Sequence, residues 1–276
     1  MDRESWRDLA NAQLYLSGGT EVDTWKFFAI THADHVVCNP TSIGKLDELI
    51  ALLDLLPGLR ILDVGCGKGE LLLRIGEHCD KRDSCGNGLD AVAIDISPYC
   101  IADLRDKHRL RAPRARLELL EMDGADYKAP PDSFDLTMCV GASWIFDGME
   151  GTLRYLTAAT RSGGKVLVGE PFWIAEPPAE YLEFSGLKRN QFGSHENNVA
   201  AGIAAGLMPW LALVSNSDEW DRYETLQWRA AARYALAHPE DLDMPEILDR
   251  VEHNRREYLR WARTILGWSL YLFAKP

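Results

Sequence analysis

What the chain lacks narrows its class first. No apolar run approaches the ~20 residues that a helix needs to cross a bilayer, and the start, MDRESWRDLA, does not have the profile of a secretory leader. The expectation is a cytoplasmic protein with no membrane partner. A dense basic stripe is also missing: Lys and Arg total 30 against 42 Asp and Glu, the formal charge is −12, and clusters such as Arg105 to Arg116 are short and mixed. A field of that sign repels a phosphate backbone, which argues against nucleic acid as a partner. The six cysteines, Cys38, Cys66, Cys79, Cys85, Cys100 and Cys139, form neither a C-x-x-C pair nor any zinc-ligand spacing. They read as free thiols. The irregular set His78, Cys79 and Cys85 is a poor metal site, and no metal is expected. No pattern sets an oligomeric state. With 276 residues, 46% of them hydrophobic, the chain can bury one substantial core and carry a cap.

What is present centres on Arg60 to Leu72, RILDVGCGKGELL. Ile61, Leu62 and Val64 read as a buried strand, and Gly65, Gly67 and Gly69 as the tight turn leaving it for an amphipathic helix. A backbone without Cβ atoms can turn at positive φ and let a ligand lie on it. The helix start points free N–H groups at that crevice, while Asp63 and Glu70 flank it with carboxylates, so a polyphosphate is not the expected ligand. A P-loop needs Lys-Ser or Lys-Thr after its last glycine, and Lys68 is followed by Gly69 and Glu70. The dinucleotide fingerprint wants its third glycine three positions after the second, and here the spacing is G-x-G-x-G.

The D-x-G-x-G-x-G string resembles motif I of class I S-adenosylmethionine (SAM)-dependent methyltransferases. Downstream residues continue the likeness. A second strand, Ala91 to Ile94, ends in Asp95-Ile96, placing a carboxylate where it can accept from both hydroxyls of a ribose. The polar stretch Cys79 to Asp90 accounts for the long gap before it. A third strand, Arg116 to Leu120, leads to Asp123-Gly124-Ala125; in the family an aspartate here receives the adenine amino group, though a turn aspartate fits the position as well. A fourth, Phe134 to Cys139, closes on Val140, Gly141 and Ala142, small enough for a cofactor to pass over the backbone. A helix from Gly151 to Arg161, the turn Ser162-Gly163-Gly164 and a fifth strand, Lys165 to Glu170, complete the series. The Pro-Pro-Tyr or Pro-Pro-Phe motif of the enzymes that act on nucleobase or glutamine amides is replaced by Gly141-Ala142-Ser143-Trp144, which disfavours that branch.

The resemblance covers Thr41 to Trp173 and is to the small-molecule type, including the ubiquinone/menaquinone-biosynthesis methyltransferases. It implies a Rossmann-like, doubly wound α/β fold with a seven-stranded sheet, mostly parallel with an antiparallel last strand, and SAM as cofactor. Asp63, Gly65, Cys66, Gly67 and Gly69 would hold its methionine portion, Asp95 and Ile96 the ribose, Asp123, Gly124 and Ala125 the adenine, with Val140 and Gly141 beneath. Two residues are candidates for proton handling: Glu170, leaving the fifth strand at the ligand-binding edge, and His35, paired with His32 in THADHVVCNP.

The rest of the chain supplies the cap. Two aromatic-rich helices, Glu4 to Tyr15 and Glu21 to Ile30, fall in an N-terminal segment of residues 1–40. Thr41 or Ser42 caps a helix through Leu55 that Pro57 and Gly58 end. The core runs over 41–216, with a helix from Asn197 to Ala205 and a sixth strand from Met208 to Val214. An inserted helical lid occupies 217–264, its first helix capped by Ser217, and 265–276 hold a closing strand, Trp268 to Phe273. The aromatic stripes of the insertion read as core that can also wall a pocket. The expected activity is methyl transfer to a small-molecule acceptor. Two rivals share parts of the pattern: a non-catalytic SAM-binding module, and an NAD-dependent dehydrogenase, whose fingerprint spacing does not fit.

Overall fold

The sheet is organised from β1 (Arg60–Val64), which lies between β2 (Asp90–Asp95) and β4 (Phe134–Val140) and pairs in parallel with both. The computed structural model describes residues 22–55, 58–81 and 89–276. Adding β3 (Arg116–Glu121), β5 (Thr160–Trp173), β6 (Met208–Val214) and β7 (Leu266–Ala274) gives seven strands in the order β3-β2-β1-β4-β5-β7-β6. β7 runs antiparallel to both neighbours and the remaining pairs are parallel. The order reverses between β1 and β4, so the crevice outside their carboxyl ends is where a ligand finds room in such a sheet. The expected helix Glu4 to Tyr15, Glu21, Pro57 and Cys85 lie outside the described residues.

Helices cover both faces. On one, α2 (Ile43–Leu52), α3 (Glu70–Lys81) and α4 (Pro98–Arg111) pack Leu49, Leu72 and Leu104 against Ile61, Met138 and Leu167. On the other, α5 (Met149–Ala159) and α7 (His195–Ala204) cover Val166, Val168 and Phe273 with Leu153, Leu156 and Val199. β7 is therefore buried along its whole length, which accounts for its near-continuous apolar sequence.

Several boundaries differ from the sequence expectation for physical reasons. β5 continues past Glu170 to Trp173 because β7 pairs with it down to Leu266, so Glu170 sits within a strand opposite Ser269 and not in a loop. Its first residues precede the turn at Gly163, which takes a φ of 75°, and a register shift between Phe134 and Leu136 absorbs them. Ser42 caps α2, as one of the two expected residues, through a bond from the Lys45 N–H. The cap of the first inserted helix is Asn216, one residue before the expected Ser217: Asn216 accepts from the Glu219 N–H and Glu219 reaches back to the Asn216 N–H. A short helix, α6 (Ala179–Ser185), had no counterpart in the sequence reading.

The chain between β6 and β7 forms α8 (Ser217–Ala237) and α9 (Met244–Glu257), followed by a π-helical turn, Tyr258–Ala262, and a last helical turn, Arg263–Ile265. The first described helix, α1 (Thr24–Thr31), joins them: Phe27 and Ile30 pack with Ala231, Ile247 and Val251. Trp173, Tyr181, Phe192, Tyr258 and Trp261 knit the other end of the insertion to the top of the sheet. Together these helices roof the carboxyl edge.

Candidate active site

One cavity of about 410 Å³ lies between the carboxyl edge of the sheet and this roof. Its floor includes the turn after β1. Gly65, Gly67 and Gly69 take φ values of 72°, 53° and 67°, the left-handed region that lets the chain reverse within five residues. They do different work. A Cβ on Gly65 would lie 2.4 Å from that of Ala142, and one on Gly69 would lie 2.4 Å from a Leu104 methyl, whereas one on Gly67 would meet no atom of the described residues within 4 Å. Gly67 is thus the place where the backbone is bared to the cavity. Asp95 holds it there: Oδ2 accepts from the Gly67 N–H at 2.8 Å and Oδ1 from the Ser97 N–H at 2.8 Å. A carboxylate offers about four acceptor positions, so Asp95 retains capacity for two hydroxyl donors. Burial raises its pKa, with those two N–H groups opposing the shift.

Asp63, 5% exposed at the end of β1, makes no hydrogen bond to any described residue yet lines the cavity. Burial, with the Asp95 charge behind it, pushes it up to about 7. A buried carboxyl of that kind suits an ammonium or sulfonium neighbour. Glu70 is different, although it flanks the same turn: Arg74 and Arg111 bond its carboxylate at 2.6 to 3.0 Å, so it is already neutralised. Asp123 caps the 3₁₀ turn Gly124–Asp126 by accepting from the Ala125 N–H at 2.9 Å, and it lines the cavity beside Gly124. Cys66, Gly69, Ile96, Val140 and Gly141 line it too. Ala125 does not.

Glu170 is 3% exposed, lines the cavity and leaves Oε2 without a partner among the described residues. Burial pushes it up to about 8, against the pull of a hydrogen bond with Ser143. Trp268 of β7 stands beside Gly141, where a Cβ would come within 3.1 Å of its ring, and its indole N–H donates to Thr41 at 3.1 Å.

The two histidines come together, as their spacing suggested, with ring centroids 4.7 Å apart, but they face different things. His32 lines the cavity, with Nε2 3.0 Å from the Tyr223 hydroxyl; burial holds its pKa well below the usual value, so it is neutral. His35 is outside the lining residues. Its Nε2 donates to the Tyr223 carbonyl at 2.8 Å, and Nδ1, left as the basic nitrogen, is buried without a partner among the described residues. Lys68 ties the glycine turn to the roof by donating to the carbonyls of His32 and His35 at 2.7 and 3.3 Å.

Sequence reasoning gave the insertion aromatic walls for a pocket but missed other residues that the roof contributes. Glu224 and Gln227 of α8, Glu257 at the end of α9, and Gln191 and Phe192 before α7 all line the cavity. For the glutamates a signal existed. Glu224 falls midway between Trp220 and Trp228 at i, i+4 spacing, and Glu257 falls four before Trp261, so carboxylates interrupt stripes that otherwise face inward.

The residues fit the cofactor that the fold implies: a bared backbone at Gly67, an acceptor with spare capacity at Asp95, and an unpaired buried carboxyl at Asp63. The fold is that of a class I, SAM-dependent methyltransferase. Comparison with known proteins agrees. Residues 61–164 match the family described as methyltransferase domain. A SAM-dependent methyltransferase from Geobacter sulfurreducens, solved with S-adenosyl-L-homocysteine, is 28% identical with a TM-score of 0.81, over 91% of this chain and 98% of that one. A second from Thiobacillus denitrificans, with the same molecule bound, is 27% identical with a TM-score of 0.81, over 93% and 100%. The uncharacterized protein YjhP of Escherichia coli strain K12 is 29% identical over 252 residues, 91% of this chain and 98% of that protein. The chain is a SAM-dependent methyltransferase.

Proposed function

We propose that this chain methylates a small-molecule acceptor held in the cavity beneath the α1, α8 and α9 roof. The observation that carries the reading is continuity: one cavity joins the glycine turn to Glu170 and to the aromatic roof residues Trp25, Trp220, Tyr223 and Tyr258. A pocket closed in this way suits a metabolite better than a nucleic-acid duplex or a folded protein surface, and the charge of −12 argues the same way against nucleic acid.

The cofactor supplies an electrophilic methyl group on a sulfonium, so the protein's work is to align, to exclude water and to take a proton where the acceptor must lose one. Asp63 and the turn from Gly65 to Gly69, with Cys66, would hold the methionine portion. Asp95 with Ile96 would receive the ribose, Asp123 with Gly124 the adenine, and Val140 and Gly141 would lie under the bound molecule, while Ala125, outside the cavity lining, serves through its N–H, which donates to Asp123. Glu170 is assigned the proton-accepting role. His35 is assigned the holding of Tyr223, because the nitrogen that faces Tyr223 is already bonded.

Calorimetric titration with SAM and S-adenosylhomocysteine, followed by a methyl-transfer assay on a metabolite panel, tests the reading. Micromolar binding and turnover of a metabolite are expected, with Glu170→Gln lowering the single-turnover rate while SAM affinity holds. Robust methylation of intact protein or RNA, with no metabolite accepted, would overturn the small-molecule assignment. Tight SAM binding with no turnover of any acceptor would favour a SAM-binding module.

A further inference from the structure

Granting methyl transfer in this cavity, we propose that its acceptor carries a basic nitrogen, bound as a cation by Glu224 and Glu257 of the roof. The two carboxyls stand on facing helices and line the cavity together. Glu224 makes no hydrogen bond to any described residue. Glu257 accepts one, from the Tyr181 hydroxyl at 3.2 Å, which leaves most of its acceptor positions open. Around them stand aromatic rings: Trp220 and Tyr258 lie nearly parallel with centroids 6.3 Å apart, and Tyr223 crosses Trp220 edge-on. Aromatic faces next to carboxylates are the recurring receptor for an ammonium group, because ring quadrupole and negative charge act on the same cation.

The cavity offers an anion no free positive charge in exchange. Among the described residues that line it, the basic side chains are Lys68 and His32. Lys68 is taken up by two backbone carbonyls, and burial keeps His32 neutral. A carboxylate or phosphate acceptor would enter against several buried acids with no free positive charge to meet it.

A second, independent feature points the same way. Glu170, on the sheet and not on the roof, is buried in the same cavity with no partner for Oε2 among the described residues. A buried carboxyl oxygen without a donor has a site made complete by an incoming N–H group. The state of the roof pair supports this: burial pushes Glu224 up to about 8 and Glu257 to about 7, with the Glu257 charge adding to the shift at Glu224. Two acids that discourage each other's ionisation regain it when a cation arrives near both. The claim is one of recognition, and it holds whichever atom of the acceptor is methylated.

Phenethylamine, 2-phenylethanol and 3-phenylpropionate share an apolar body and differ in charge, and each is titrated into the protein saturated with S-adenosylhomocysteine. The amine should bind at least about tenfold more tightly than the alcohol, and the carboxylate least. Glu224→Gln combined with Glu257→Gln should remove that preference while the alcohol and S-adenosylhomocysteine bind as before. An alcohol or carboxylate that binds as well as the amine, no binding by any of the three, or an amine preference that survives the double variant would each overturn the proposal. Should the double variant not fold, the ranking on the parent protein decides. Failure of S-adenosylhomocysteine to bind at the outset would instead bring down the methyl-transfer reading.

Discussion

Gly65, Gly67 and Gly69 share a left-handed backbone but differ in what a side chain would strike, and that difference separates binding from folding. Gly69→Ala places a methyl group against Leu104, where a 2.4 Å approach forces the packing of α4 to move. Overpacking of that kind costs about 1–3 kcal/mol, so the variant should melt early. Gly67→Val brings its Cβ within 4 Å of no described residue and incurs chiefly the strain of a left-handed residue, on the order of 1–2 kcal/mol, while its side chain projects where a ligand would lie. It should remain folded and lose SAM binding in calorimetry. A folded Gly67→Val protein with the parent's affinity would remove the turn from the site. Asp95 is the companion case. Asp95→Ala should weaken SAM by about 1–3 kcal/mol, through lost bonds to an ionised acceptor and through release of the Gly67 and Ser97 N–H groups. Asp95→Asn, which keeps one acceptor oxygen, should fall between the two. Unchanged SAM affinity in a folded Asp95→Ala protein would show that the ribose is held elsewhere.

Among the elements, the start of α8 is where the roof is fastened. Glu219 completes the capping box with Asn216, accepts from the Ser42 N–H at 3.2 Å and pairs with Lys45, so one carboxylate ties the inserted helix to the start of α2. Burial alone would raise its pKa, yet Lys45, Ser42 and the Asn216 N–H outweigh that and hold it below the usual glutamate value. Glu219→Ala should cost about 1–3 kcal/mol, and hydrogen exchange should quicken first in the opening turn of α8 and not in the sheet. Uniform exchange across the molecule would deny the latch. Elements also show what the sequence makes readable. Strand six was legible to the residue, and β1, β2 and β4 were legible because buried parallel strands are near-continuous apolar runs. β5 was read short: what carries it past Glu170 is pairing with β7, a contact about a hundred residues away that no local pattern reports. At the site, the glycine turn and Asp95 were legible because their chemistry is local. Glu224 and Glu257 were not, since helical periodicity tells which face turns inward but not whether that face meets core or cavity.

Across the whole molecule, the acidic balance and the cavity meet in the pH dependence of stability. Burial pushes Asp63 and Glu257 up to about 7 and Glu170 and Glu224 to about 8. Above about pH 5 the unfolded chain has released these protons while the folded chain still holds them, so this contribution to stability is complete at low pH and lost as pH rises through 7 and 8. His32, His35 and His253 have the opposite sign. Burial lowers all three, and their effect is a penalty at low pH that fades once the unfolded histidines are neutral as well, above about pH 7. Carboxylates held below their ordinary range, such as Asp221 under Arg263, titrate lower still. The interval from about pH 7 to 8 therefore belongs to the buried acids, and in it the ligand-free protein should lose stability, at up to ~1.4 kcal/mol per pH unit for each proton that the folded state holds in excess. Saturating SAM, whose sulfonium and ammonium groups favour ionised neighbours, should flatten the decline. Glu224→Gln with Glu257→Gln should flatten it in part without any ligand, because the amide cannot lose a proton. Melting temperatures at about pH 7 and 8, with and without SAM, measure all of this. Stability that is flat or rises across that interval in the ligand-free protein would mean that the cavity's carboxyls are already ionised there, and that burial does not hold their protons.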